Sequence, residues 1–402
     1  MNGVLLAIVL YVLITTMLAM ATRGEEIRVF GRRLVFTIAG FLIYLGGERR
    51  ARRRASTPKP LAVAMVGATL VGIALFYTQM LPLMIRTVAQ FIGAATGVSH
   101  AAPQPTVIPL PLVFTYSSII PYVLIGLGIA VVAHETMHAI IALREGVSVR
   151  SWGVGVVALI PLAFVEVDEQ EFNSSPKRSR AAVLSAGPFA NAVIALATLA
   201  IFVASSHALA AWAQPAIVIQ SIDCSVCVGG CPARSAGLQP GDIIAYINGS
   251  PIHSFQQLKE AIERAGYGGK LLATLCSPSG ECRNVSIVLS AWFRGSNRPC
   301  IGVELRPGYA VFENGVALIP PQLSALVQLV RASFFTFIIN YSLFVFNAIP
   351  LIITDGSKLL RVLAEGRPRL EKLFASRAFD IVNAVVIGAA MAVSTYLILV
   401  GA

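Results

Sequence analysis

Six stretches of the chain, at 4–21, 61–85, 119–143, 183–206, 323–349 and 379–400, are apolar over lengths that suffice to cross about 30 Å of hydrocarbon. Backbone groups in hydrocarbon have no water to bond, and a helix satisfies them within one segment. These runs therefore predict a polytopic α-helical membrane protein with about six transmembrane helices. Composition agrees, since 56% of the 402 residues are hydrophobic and only 13% charged, against about 25% charged in soluble globular proteins. The first run is expected to be a retained anchor, because Met1-Asn2-Gly3 supplies no positive region ahead of it. A shorter apolar run at 34–46, bounded by Arg32, Arg33 and the basic stretch 49–54, is too short to span and is expected in the interface or as a re-entrant segment.

Lysine and arginine concentrate at 23–59, 144–180 and 358–377, and basic short loops favour the cytoplasmic side. Six spans put all three clusters there and leave the N-terminus, the 89–118 loop and 208–322 outside. The net charge of +11 thus reports topology in a cell membrane. No basic domain interleaved with aromatics is present, so the lipid bilayer is an expected partner and nucleic acid is not.

The third run contains His134-Glu135-Thr136-Met137-His138. On a helix the two histidines, four residues apart, share a face and can bind one metal ion while Glu135 projects beside them. Ionisable groups inside a span are costly and mark function. A catalytic zinc site needs a third protein ligand and an open position. Spacing alone leaves Glu166, Asp168, Glu169, Glu171 and Asp355 as candidates, with 166–171 also readable as a solvated charge run in a polar connector.

Between the fourth and fifth runs the chain turns polar, with short alternating stretches at 243–247 and 285–289. Asn248-Gly249 is a favoured tight-turn pair and 255–264 reads as a short amphipathic helix. The segment Pro232-Ala233-Arg234-Ser235-Ala236-Gly237-Leu238-Gln239-Pro240-Gly241-Asp242-Ile243-Ile244-Ala245-Tyr246-Ile247-Asn248-Gly249 resembles protease-associated PDZ domains. That resemblance implies an inserted extracytoplasmic α+β domain whose groove takes a peptide or a substrate ectodomain, with a plain structural spacer as the bland alternative. All six cysteines, Cys224, Cys227, Cys231, Cys276, Cys282 and Cys300, fall in this segment, which favours disulfides in an oxidising compartment. A metal site built on Cys224, Cys227 and Cys231 would need a fourth ligand.

Asn347-Ala348-Ile349-Pro350-Leu351-Ile352-Ile353-Thr354-Asp355-Gly356 matches NxxPxxxxDG, and with the histidine motif and the PDZ-like insertion the chain resembles the site-2 protease family of intramembrane zinc metalloproteases, in the branch containing the animal enzyme. The residues 106–114, the segment Ser185-Ala186-Gly187-Pro188-Phe189-Ala190-Asn191 and the arginine-flanked 34–46 extend the likeness over most of the chain. The resemblance implies Zn2+ held by His134, His138 and Asp355, with Glu135 as the catalytic base. It implies that Asn347 helps hold the substrate backbone or the developing oxyanion, near the bend at Pro350. Depth agrees with the ligand set, because 347–355 and 134–138 both fall toward the cytoplasmic ends of their runs, where Pro350 interrupts the helix. Asn191 is a candidate for the same support or for a helix–helix hydrogen bond. The stretch 152–167 resembles a membrane-associated β segment that could pair with an unwound substrate, or else a re-entrant loop shielding the metal.

The expected organisation is an anchor and basic interfacial segment at 1–60, a membrane core with the histidine motif at 61–207, the PDZ-like domain at 208–322 and a C-terminal membrane core at 323–402. The expected substrates are single-span membrane proteins, often regulators, cut within their transmembrane segments. The competing reading is an ion-coupled transporter or channel with an accessory PDZ domain; a proteolytically dead chaperone of membrane helices fits poorly with an intact set of His134, Glu135, His138 and Asp355.

Overall fold

The computed structural model describes residues 3–23, 25–29, 31–51, 55–98, 104–106, 119–157, 160–228, 230–291, 298–313, 316–349, 351, 354–374 and 376–400. Pro350, Ile352, Ile353, most of 106–114 and Arg52 to Arg54 of the basic stretch lie outside them. Five stretches among the described residues are long and apolar enough to cross a membrane as helices: Lys59–Ala95, Ile120–Glu145, Lys177–Trp212, Pro321–Ala348 and Pro368–Ile398, the last made of the helices Pro368–Phe374 and Arg377–Val400. The run at 4–21 forms a shorter helix, α1 (Gly3–Ala21). The chain divides into two compact units, Met1–Leu199 with Phe334–Ala402, and Ala200–Ser333.

In the first unit α2 (Lys59–Leu75) continues through a π turn (Phe76–Met80) into α3 (Leu81–Ala95). Pro82 has no N–H to offer the carbonyl four residues back, and the ladder widens just before it, with the Leu81 N–H reaching the Phe76 carbonyl. Helix α4 (Ile120–Glu145) ends on Gly146, whose φ of 84° lets its N–H turn back to the Ala142 and Leu143 carbonyls. Lipid gives helices no hydrophobic drive to associate, so close approach relies on small residues. Gly72 of α2 faces Ala348 and Phe344 of α9 (Pro321–Ala348), and Gly126 of α4 faces Thr336 and Ile339 of the same helix.

The 34–46 run, expected as an interfacial or re-entrant segment, is a β-hairpin of β2 (Arg32–Thr37) and β3 (Gly40–Gly46). It sits in a five-stranded antiparallel sheet ordered β1 (Ile27–Val29), β2, β3, β4 (Val149–Val157), β5 (Ile160–Val167). The register sets Ile43 opposite Val154 and Val154 opposite Ala163. Strand β5 is an edge of this sheet and packs against α4.

Buried Glu145 at the end of α4 accepts from the Thr57 N–H at 2.6 Å and the Ser179 hydroxyl at 2.7 Å, tying the entry of α2 to the start of α6 (Lys177–Trp212). Lys177 of α6 donates to the Leu363 and Glu365 carbonyls at 3.0 Å at the end of α10 (Asp355–Ala364; α5 is Glu169–Ser174, α7 Pro232–Ser235 and α8 Phe255–Ala265). Arg180 grips the Glu365 carboxylate through both oxygens, at 2.7 and 2.6 Å, holding that carboxyl below its usual range. Cations at the C-terminal end of α10 also oppose its dipole. Ala181 and Leu184 of α6 pack on Leu359 and Val362 of α10, so this helix is fixed along its length.

The second unit is built on an antiparallel sheet whose strands run β10 (Cys282–Val288), β9 (Lys270–Cys276), β7 (Ile243–Ile247), β6 (Gln214–Ile222), β13 (Val303–Glu313), β14 (Val316–Leu318), with β8 (Ser250–Pro251) added to β7. Asn248 and Gly249, at φ 50° and 80°, make the two-residue turn between β7 and β8. Helix α8 starts on a reciprocal capping box between Ser254 and Gln257 and buries Leu258 against Ile217, Ile219, Leu271 and Leu275.

All six cysteines are paired, as Cys224–Cys231, Cys227–Cys300 and Cys276–Cys282. Cys224, Cys227 and Cys231 thus divide between two bridges. Because a bridge restricts the unfolded chain in proportion to the logarithm of its loop, the bridges differ in worth. Removing Cys227–Cys300, 73 residues apart, is expected to lower stability by about 4 kcal/mol, against about 2 kcal/mol for Cys276–Cys282, 6 apart. Thermal unfolding of the paired serine variants checks that order.

Candidate metal centre

Helix α4 carries His134, Glu135 and His138, and α10 starts on Asp355. Three ligand atoms meet: His134 Nε2 and Asp355 Oδ2 are 3.1 Å apart, His138 Nε2 and Asp355 Oδ2 3.2 Å, and the two Nε2 atoms 3.1 Å. Thr354 caps α10, its hydroxyl accepting from the Ser357 N–H, which puts the Asp355 carboxylate in the first turn where the helix dipole favours a negative charge. Gly356 must be glycine, since a Cβ there would fall 2.1 Å from the Ala348 carbonyl oxygen.

The donor chemistry fits a divalent cation. A carbonyl can only accept, so the 2.7 Å contact from His138 Nδ1 to the Val183 oxygen fixes the proton on Nδ1 and leaves the Nε2 lone pair for the cluster. Ligands about 2.0–2.1 Å from a tetrahedral zinc lie about 3.3–3.4 Å from one another, close to the separations seen. Gly187 of α6 supplies the space. A Cβ added there would lie 2.3 Å from His138 Nε2 and 2.4 Å from His134 Nε2, where a bound ion would sit.

Val183, Gly187 and Asn191 follow at four-residue intervals and share one side of α6. That side faces both imidazoles: Val183 through its carbonyl, Gly187 through its missing side chain, and buried Asn191 through its carboxamide, with Nδ2 3.3 Å from His134 Nδ1. Neither Val183 nor Gly187 stands out in the sequence as a site residue. Gly187 lies in the 185–191 segment of the family likeness, where nothing in its letter gives it a role, and Val183 acts through its backbone.

The acidic connector is occupied elsewhere. Asp168 caps α5 and pairs with Arg150, and the Glu171 N–H and the guanidinium hold its carboxyl below the usual range. Glu166 bonds Ser151 and Tyr44, and Glu171 accepts from the Ser148 N–H. Among the described residues only His134, His138 and Asp355 form a three-donor group. Asn347 donates to the Leu343 carbonyl at 3.0 Å and makes no hydrogen bond to the three donors. Pro350 is outside the described residues. Glu135 is partly buried at the rim of an apolar cavity of about 340 Å³, walled by Thr136, Ala139 and Ile140 of α4 and by Trp152, Phe164 and Val165 of the sheet.

Membrane-spanning helices that enclose two histidines and a carboxylate, with a glutamate next to the first histidine, define a metallopeptidase-like membrane protein. The sequence model of peptidase family M50, the site-2 protease family, matches residues 122–393, and the chain belongs to that family. An uncharacterized protein of Methanocaldococcus jannaschii is 28% identical over 282 residues, covering 68% of this chain and 66% of the relative, just under two thirds of its length. A PDZ domain of an SdrC-like protein from Listeria monocytogenes is 22% identical, with a TM-score of 0.19, covering 22% of this chain and 85% of that domain.

Gly187→Ala tests the fit of the site directly. The variant is expected to keep its helical circular dichroism and to bind zinc more than about tenfold more weakly than wild type, read by metal analysis after equilibrium dialysis.

Proposed function

We propose that the protein is an intramembrane zinc endopeptidase that hydrolyses peptide bonds within transmembrane segments of single-span membrane proteins. The observation that carries this reading is the meeting of His134, His138 and Asp355 beside Glu135 within apolar helices. His134, His138 and Asp355 would hold Zn2+, which when bound supplies Lewis acidity to a scissile carbonyl and to a water molecule. Glu135 takes the proton of the attacking water and returns it to the leaving amine nitrogen. The apolar cavity at Glu135 suits apolar side chains of such a substrate.

A helical substrate hides its peptide bonds in its own ladder and must unwind to be cut. Edge strand β5 runs beside Glu135, with the Val165 N–H toward the Glu135 carboxylate, and its place at the sheet edge supports substrate pairing there rather than a purely shielding loop. Asn347, at the end of α9, is assigned to the substrate backbone or oxyanion. The basic clusters support a cytoplasmic active site and an external segment at 208–322. Its three disulfides suit that side, and its PDZ-like sequence pattern supports a role in receiving a peptide or filtering the ectodomains of regulatory substrates already trimmed outside.

The test uses wild type and Glu135→Gln purified in detergent with a panel of single-span proteins. Both should carry one zinc per chain, and the substitution should slow cleavage by about 10²- to 10⁴-fold. Equal cleavage by both, or zinc-independent ion flux in vesicles, would contradict the proposal.

A further inference from the structure

We propose that Asn191 is a positioning residue that sets the tautomer of His134, and so decides whether that ring can donate to a metal; this rests on the metal reading above. His134 is 6% exposed and its Nε2 points at Asp355 Oδ2 and His138 Nε2, both 3.1 Å away. For Nε2 to offer a lone pair, the ring proton must be on Nδ1, and a buried N–H needs an acceptor. Among the described residues, the hydrogen-bond partner of Nδ1 is the carboxamide of Asn191. Its partner ring is handled in parallel one helical turn away, where His138 Nδ1 meets the Val183 carbonyl, an acceptor that cannot be reversed.

The Asn191 amide can be reversed. With Nδ2 toward His134, the amide donates to Nδ1, and the ring proton sits on Nε2 and points at Asp355. With the amide rotated by a half-turn, Oδ1 accepts from Nδ1–H and the Nε2 lone pair is available to an ion. The two orientations are nearly isosteric. Each orientation of the amide selects one tautomer.

Packing alone does not explain an asparagine here. Asn191 is fully buried, and among the described residues its Oδ1 has no hydrogen-bond partner. Leaving a buried amide half-bonded costs stability, whereas an apolar side chain of the same volume would fill the space without that cost. What Asn191 contributes that leucine would not is its bond to His134. Carboxylates and carbonyls behind metal-bound imidazoles fix ring orientation and basicity in the same way.

Asn191→Leu and Asn191→Asp separate the two roles. The leucine keeps the volume and removes the acceptor; the aspartate, ionised beside the bound cation, keeps an acceptor and has no donor, which favours the proton on Nδ1. Full-length chains in detergent are titrated with Zn2+ in a competition assay and with Co2+ by absorption spectroscopy, alongside thermal unfolding without metal. Asn191→Leu should bind both ions about 10- to 100-fold more weakly while still unfolding cooperatively without metal, its stability lowered only by the one hydrogen bond lost at His134 Nδ1. Asn191→Asp should bind as tightly as wild type and give the same Co2+ spectrum. Wild-type affinity in the leucine variant would overturn the assignment, as would equal loss in both variants. A wild-type chain that takes up neither ion would overturn the metal reading itself, and His134→Ala sets the level for that outcome.

Discussion

Everything in the membrane unit depends on one packing constraint, the approach of α6 to the histidine-bearing turn of α4. Two imidazoles and a carboxylate cannot be held within hydrogen-bond distance in an apolar setting unless each has a second partner that fixes its direction. Helix α6 supplies the partners of both imidazoles from one side, with the Val183 carbonyl behind His138, the Asn191 amide behind His134, and Gly187 between them leaving a space. Lys177 and Arg180, at the start of the same helix, hold the far end of α10, whose first residue is Asp355. A single helix therefore aligns donors that are more than 200 residues apart in the chain.

Charge economy follows from the same arrangement. Buried Glu145 has backbone and hydroxyl partners, and Glu365 is paired with Arg180, so the acids near the cytoplasmic ends of these helices are used to tie elements together. Asp355 is the acid directed at the histidines. The acidic connector serves as cap and strand partner for the sheet that walls the cavity beside Glu135.

What was legible in the sequence was local or chemically labelled. The His134 to His138 spacing, the Asn248-Gly249 turn, the α8 helix and the segregation of cysteines each depend on residues close together in the chain, and each is realised. The 34–46 run was not legible as sheet. Its residues are apolar on both faces, so no alternation marks a strand, and the strand it pairs with, β4, lies more than 100 residues away. Val183 and Gly187 were hidden for a different reason: one acts through its backbone and the other through an absent side chain, and neither carries chemistry in its letter. Asn191 was visible as a polar residue beside an apolar helix, but its direction depends on how α6 packs.

The central claim is that one metal ion is held by His134, His138 and Asp355 against the glycine-bearing side of α6. X-ray absorption spectroscopy of the purified, zinc-loaded chain tests it most directly. The account predicts a first shell of nitrogen and oxygen at about 2.0–2.1 Å, with multiple scattering from two imidazoles and loss of that signal in His138→Ala. Sulfur scattering at about 2.3 Å, or an unchanged spectrum in His138→Ala, would contradict it.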